Sequence, residues 1–119
     1  MKEAADLFSD LKLSDSQKKI INTAGKVGRE KLAPRAAQID REACNPLENY
    51  DDLRESGIHR MCVPERFGGL GHDYATYMMV SSELGRHCGA TALSFNMHAS
   101  TTLWIGDMLD GLDLSPEQQ

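Results

Sequence analysis

The 119 residues suffice for one core and little more. Eighteen acidic and 13 basic residues give a formal net charge of −5, which disfavours nucleic acid and anionic membrane as partners, since both need a basic face. Cys44, Cys62 and Cys88 form no C-x-x-C pair and are odd in number, so a reduced, cytoplasmic setting fits better than a disulfide framework.

The start, M-K-E-A-A-D-L-F, lacks the apolar run of a signal peptide. Residues 1–13 read as a loose arm with Leu7, Phe8, Leu11 and Leu13 to dock. Ser14 and Gln17 form a capping box, followed by Ile20, Ile21, Ala24, Val27 and Leu32 at helical spacing. Gly25 and Gly28 inside that helix each cost up to about 1 kcal/mol relative to Ala, which a close approach by another helix would explain. Pro34 kinks or restarts the helix, which can run on through Ala36, Ala37, Ile39 and Ala43. Asn45-Pro46-Leu47-Glu48 reads as a second start, with Asn as cap and Pro at the first helical position. Leu47, Tyr50 and Leu53 make one face, Gly57 stops the helix, and Ile58 folds back on it. Met61-Cys62-Val63 reads as a short extended piece ended by Pro64.

Phe67-Gly68-Gly69-Leu70-Gly71 fits no phosphate motif and reads as a tight turn requiring positive φ. Asp73 can cap a helix that carries Tyr77, Val80, Leu84 and Cys88 on one face, with Gly89 interrupting it; Met78-Met79 reads as core filler. From His87 to Gly106 there is no Asp, Glu, Lys or Arg, in a chain that is 26% charged. Ser94, Asn96, His98, Ser100, Thr101 and Thr102 are too many polar groups for a membrane span. A helix with no charged face belongs inside a protein, packed on all sides, so a central buried helix is expected from about Ala90 to about Leu109. Its polar groups suggest that one side borders a pocket or a partner. The fold class is all-α, a helical bundle around this helix. Ser115-Pro116-Glu117 is a helix start with no body, so the chain looks cut.

The usual catalytic constellations are absent. His59, His72, His87 and His98 lack metal-ligand spacing, there is no G-x-S-x-G elbow, and adjacent His87 and Cys88 point different ways on a helix. His98 reads as a hydrogen-bonded core histidine. Helical geometry groups Ala92, Asn96 and Ala99 or Ser100 on one side, with Leu93 adjacent and with Phe95, Leu103 and Trp104 on the other. The small side suits either a ligand pocket wall or a tight helix–helix contact.

Several segments resemble the acyl-CoA dehydrogenases. They are A-x-x-x-D-R-E-x-x-x-P (Ala36 to Pro46), the Gly57-Ile58 step, V-P-E-R-F-G-G-L-G (Val63 to Gly71) with D-Y-A-T-Y after it, and S-S-E-L-G-R (Ser81 to Arg86) leading to C-G-A-T. The likeness spans about residues 15–119. It implies the N-terminal all-helical domain (14–119) of a longer, three-part subunit, truncated before a β domain and a second helical domain. In that family an acyl-CoA becomes the trans-2-enoyl-CoA: a glutamate takes the α-proton and the β-hydride goes to FAD. Electrons leave through an electron-transfer flavoprotein, and members are commonly homo-oligomers. The catalytic glutamate and most FAD contacts belong to the later domains. No catalytic, cofactor-binding or metal residue is therefore assigned here, and no FAD is expected on this chain alone. By position, the central helix would offer Ala92, Leu93 and Asn96 to the acyl pocket. Two alternatives stand beside this: a domain of a related flavin monooxygenase or oxidase, which His98 leaves open, and a free-standing helical interaction module that covers its apolar surface by self-association.

Overall fold

In the computed structural model, which describes residues 2–118, the capping box at Ser14 forms as its spacing predicts. Ser14 Oγ accepts from the Gln17 N–H at 3.1 Å, and Gln17 Oε1 accepts from the Ser14 N–H at 2.9 Å. The box opens α1 (Asp15–Val27), which buries Ile20, Ile21 and Ala24. The helix then runs without a break through a π turn (Gly28–Leu32) into α2 (Ala33–Glu42), with Pro34 in the first turn of α2. Within the widened turn the Ala33 N–H reaches the Gly28 carbonyl, five residues back. The looser winding absorbs the missing N–H and the ring of Pro34. Ala43 ends the helix instead of continuing it: its φ is 49°, and its N–H and that of Cys44 turn back to the Asp40 and Ile39 carbonyls.

The next start also moves by one residue. Pro46 occupies the cap of α3 (Leu47–Glu55). The Leu47 N–H, which an Asn45 side chain could have capped, is taken at 2.9 Å by the Asn45 main-chain carbonyl. Leu53 is buried as expected, while Leu47 is exposed. Gly57 stops the helix at φ 82° and Ile58 is fully buried. Met61 to Val63 is a turn and not an extended piece. The glycine loop folds back over it, with the Leu70, Gly71 and His72 N–H groups donating to the Arg60, Val63 and Met61 carbonyls. The loop is the tight turn expected, and a Cβ on Gly69 would lie 1.9 Å from the Val63 carbonyl oxygen.

Asp73 caps α4 (Tyr74–His87), accepting from the Thr76 N–H at 2.9 Å and from its hydroxyl at 2.8 Å. Tyr77, Val80, Leu84 and Cys88 are all buried, and of the methionine pair Met79 is core while Met78 is exposed. Cys88 is extended (φ −155°, ψ 103°) and turns the chain into α5 (Gly89–Asp110), close to the limits expected. Residues 2–13 dock on α1 through a 3-10 turn (Ala4–Phe8). Ala5 is buried and its N–H donates to Asn22 Oδ1 at 2.9 Å, whereas Leu7 and Leu11 stay exposed. The expected last helix start is a single turn, in which the Gln118 N–H donates to the Ser115 carbonyl at 3.0 Å; Gln119, like Met1, lies outside the described residues.

The described residues contain no strand, so the chain is all-α. Principal extents of 47 × 36 × 19 Å make it a slab. Its thickness is about two helix diameters, so a helix in it can be covered on one side and open on the other. α4 lies between α1 and α5 and packs on both. No helix among the described residues is long and apolar enough to cross a membrane.

Candidate functional site

Two flanks of α5 are chemically different. The inner one carries Thr91, Ala92, Phe95, Ala99, Leu103 and Gly106, all buried. The other carries Leu93 (68% exposed), Met97 (69%), Trp104 (66%), Ile105 and Met108. Packing on all sides is thus met on one side only, and an apolar strip runs along the helix with no Lys, Arg, Asp or Glu before Asp107. Leu93, Met97, Thr101, Trp104 and Met108 follow one another at steps of three and four, so they share a face.

Ala92 and Asn96 are turned towards α4. A Cβ on Gly85 would sit 3.8 Å from that of Ala92, and the Ser81 hydroxyl donates to Asn96 Oδ1 in a short hydrogen bond. Leu93 instead points outward. The structure therefore does not bring the three sequence-chosen residues into one cavity, and Phe95 and Leu103 lie on the same side as Ala92 and Ala99. His98 is exposed, not core, although it is hydrogen-bonded: its Nε2 donates to the His59 carbonyl at 2.5 Å.

The expected close approach is made by α4 at Gly28 and by both the N-terminal 3-10 turn and α4 at Gly25, where a Cβ would lie 2.6 Å from that of Ala4. A Cβ on Gly28 would lie 2.2 Å from the His87 ring, and one on Gly25 would lie 3.2 Å from Glu83 Oε1. Glu83 is 1% exposed. Its carboxylate meets His87 Nε2 at 3.0 Å and Arg86 Nε at 3.1 Å, so the buried charge has two basic neighbours on its own helix.

Sequence reasoning missed Asn49, which is fully buried. Its Oδ1 accepts from Arg35 Nη1 at 2.8 Å and its Nδ2 donates to Thr91 Oγ1 at 2.7 Å. Arg35 also pairs with Asp52 at 2.5 Å and Glu48 at 3.0 Å. This network ties α2 and α3 to the first turn of α5. Only the tertiary fold assembles it; within L-E-N-Y-D-D-L-R nothing separates Asn49 from a solvated residue.

An open groove of about 570 Å³ runs between α1 and the glycine loop, lined in part by Lys19, Ile20, Arg60, Glu65, Leu70 and His72. Burial holds the His72 ring below its ordinary pKa, against the pull of Asp73. It also pushes the Cys62 thiol up to about 12, so that cysteine is a poor nucleophile. No group of three or more His, Cys, Asp or Glu among the described residues is arranged to hold a metal ion.

The unit is all-helical and leaves one apolar flank of α5 open to solvent. In the family comparison, residues 14–107 match "Acyl-CoA dehydrogenase, N-terminal domain", and the chain belongs to that family. Human "Short-chain specific acyl-CoA dehydrogenase, mitochondrial" is 28% identical over 103 residues, covering 87% of this chain and 24% of the human protein. "Cyclohex-1-ene-1-carbonyl-CoA dehydrogenase" of Syntrophus aciditrophicus is 33% identical over 99 residues, covering 83% of this chain and 23% of that protein. "3-sulfinopropanoyl-CoA desulfinase" of Paraburkholderia xenovorans is 34% identical over 79 residues, covering 66% and 20%. The chain thus spans about a quarter of the length of such relatives. No solved structure gives a significant match.

Proposed function

We propose that this chain is the N-terminal helical unit of a flavin-dependent enzyme acting on an acyl-CoA, with α,β-dehydrogenation to the trans-2-enoyl-CoA as the reaction of the whole protein. The observation that carries the proposal is the open apolar flank of α5, which is suited to be covered by further domains and by an acyl chain. The relatives' printed names favour the substrate class over the reaction: all three specify a CoA compound, and one of them is a desulfinase. In this reading Leu93 meets the acyl chain directly. Ala92 and Asn96 set the depth of the wall through their contact with α4. FAD, an electron-transfer flavoprotein as electron acceptor and a homo-oligomeric assembly belong to the whole protein, and a cytoplasmic setting goes with the three free cysteines.

In this reading FAD is held by the whole protein. Gly69 of the glycine loop packs against the Val63 carbonyl, which does not suit it to cradle a phosphate. Nor does the open flank of α5 carry a Lys or Arg to meet one. No chemical step is therefore assigned to a residue of this chain. The related flavin monooxygenase or oxidase remains the alternative reading; His98, which motivates it, is exposed and donates from Nε2 to the His59 carbonyl.

Reading the DNA past the codon for Gln119 tests the proposal. An open frame running into a β domain and a further helical domain supports it. A stop codon would overturn it and move the free-standing interaction module to first place.

A further inference from the structure

The His59–His98 contact has no part in the function proposed above. His59 lies in the 3-10 turn Ile58–Arg60 that follows α3, and His98 lies midway along α5. The two rings stack with centroids 6.5 Å apart and planes 26° from parallel, and the Phe95 ring is 6.2 Å from that of His98. His98 Nε2 donates to the His59 carbonyl, so the same pair of residues joins the two elements by ring stacking and by a hydrogen bond. His59 Nδ1 is buried without a hydrogen bond of normal geometry.

We propose that this pair is an acid-sensitive clip, holding the middle of α5 to the turn after α3 at neutral pH and loosening as the His59 imidazole, packed against His98, gains a proton. The charges around His59 all act in that direction. From α5 it faces His98, from its own turn Arg60, and from α3 Arg54; no acidic group offsets them. Arg54 is itself paired with Asp51. Burial first, then these three positive or protonatable neighbours, hold the His59 ring below its ordinary pKa of 6.5; the Leu53 carbonyl is the weakest influence and opposes them.

The sign follows. A base whose folded pKa lies below its unfolded value is protonated first in the unfolded chain. Stability is then unaffected well above the unfolded pKa of 6.5, falls as pH drops through it, and levels off below the folded pKa. His72 is also held low by burial, so an overall loss of stability in acid does not single out the clip. Coupling between the two rings does.

The test is an NMR titration of the imidazoles in the 119-residue chain, with amide exchange followed at residues 99–103. His98→Gln keeps an N–H donor for the His59 carbonyl but removes the ring stacked on His59. It should raise the His59 midpoint by about half a pH unit. Between pH 7.5 and 5.5, exchange at those amides, corrected for its intrinsic pH dependence, should accelerate by about tenfold in the parent. It should accelerate distinctly less in His59→Gln, where the contribution of His72 is left. His98→Asn serves as a second variant should the first not fold. An unmoved His59 midpoint in the folded variant would overturn the clip, as would the same acid response with and without His59.

Discussion

α4 and α5 make opposite use of charge. α4 carries Glu83, Arg86 and His87 and lies between two other helices; α5 carries no charge before Asp107 and lies on the outside of the slab. A buried carboxylate is tolerated in α4 because two basic groups on the same helix meet it and Gly25 of α1 makes room for it, while Gly28 makes room for the His87 ring. In α5 the lack of charge coincides with an apolar strip left open to solvent. An uncharged helix therefore need not be packed on every side within its own chain.

Matched truncations sharpen that contrast most. Leu84→Ala on α4 removes a fully buried side chain and should cost about 3 kcal/mol, read from denaturant midpoints. Gly28→Ala pushes a methyl against the His87 ring and should cost about 1–2 kcal/mol through overpacking, with the His87 ring signals shifted in NMR spectra. If the apolar strip seeks a cover, the chain on its own should self-associate in sedimentation at high concentration. Trp104→Glu should then weaken that association by about tenfold or more; a parent that stays monomeric throughout would break the comparison. The smallest effect belongs to Leu93→Ala, which should change stability by less than about 0.5 kcal/mol despite removing the same atoms as Leu84→Ala.

Local chemistry was the legible part of this sequence. The Ser14–Gln17 box, the Asp73 cap and the stop at Gly57 each need only a few neighbouring residues, and each stands where the spacing predicts. Gly25 and Gly28 were legible as a close approach because nothing else explains two glycines inside a helix. The rotation of α5 was not legible. A helix without charged residues has no polar face to fix which side turns inward, so Ala92 and Phe95 were assigned to different sides when both face the core. The shifted start of α3 depends on one competing main-chain hydrogen bond, and the burial of Asn49 depends on Arg35 and Thr91 arriving from elsewhere in the chain.

The π turn before Pro34 has a consequence for insertions and deletions. A π turn holds one residue more than the α turn it replaces. Deleting a single residue between Gly28 and Leu32 would let that turn rewind as an ordinary α turn, and because either kind of turn closes about one revolution, the residues after it would keep their phase. Arg35 would then still face Asn49, Asp52 and Glu48, and only a second deletion, with no wide turn left to absorb it, would rotate it away by about 100° and break the link from α2 through α3 to α5. The π turn thus takes up one residue of slack in the long N-terminal helix, and a first deletion there should be far less damaging than a second.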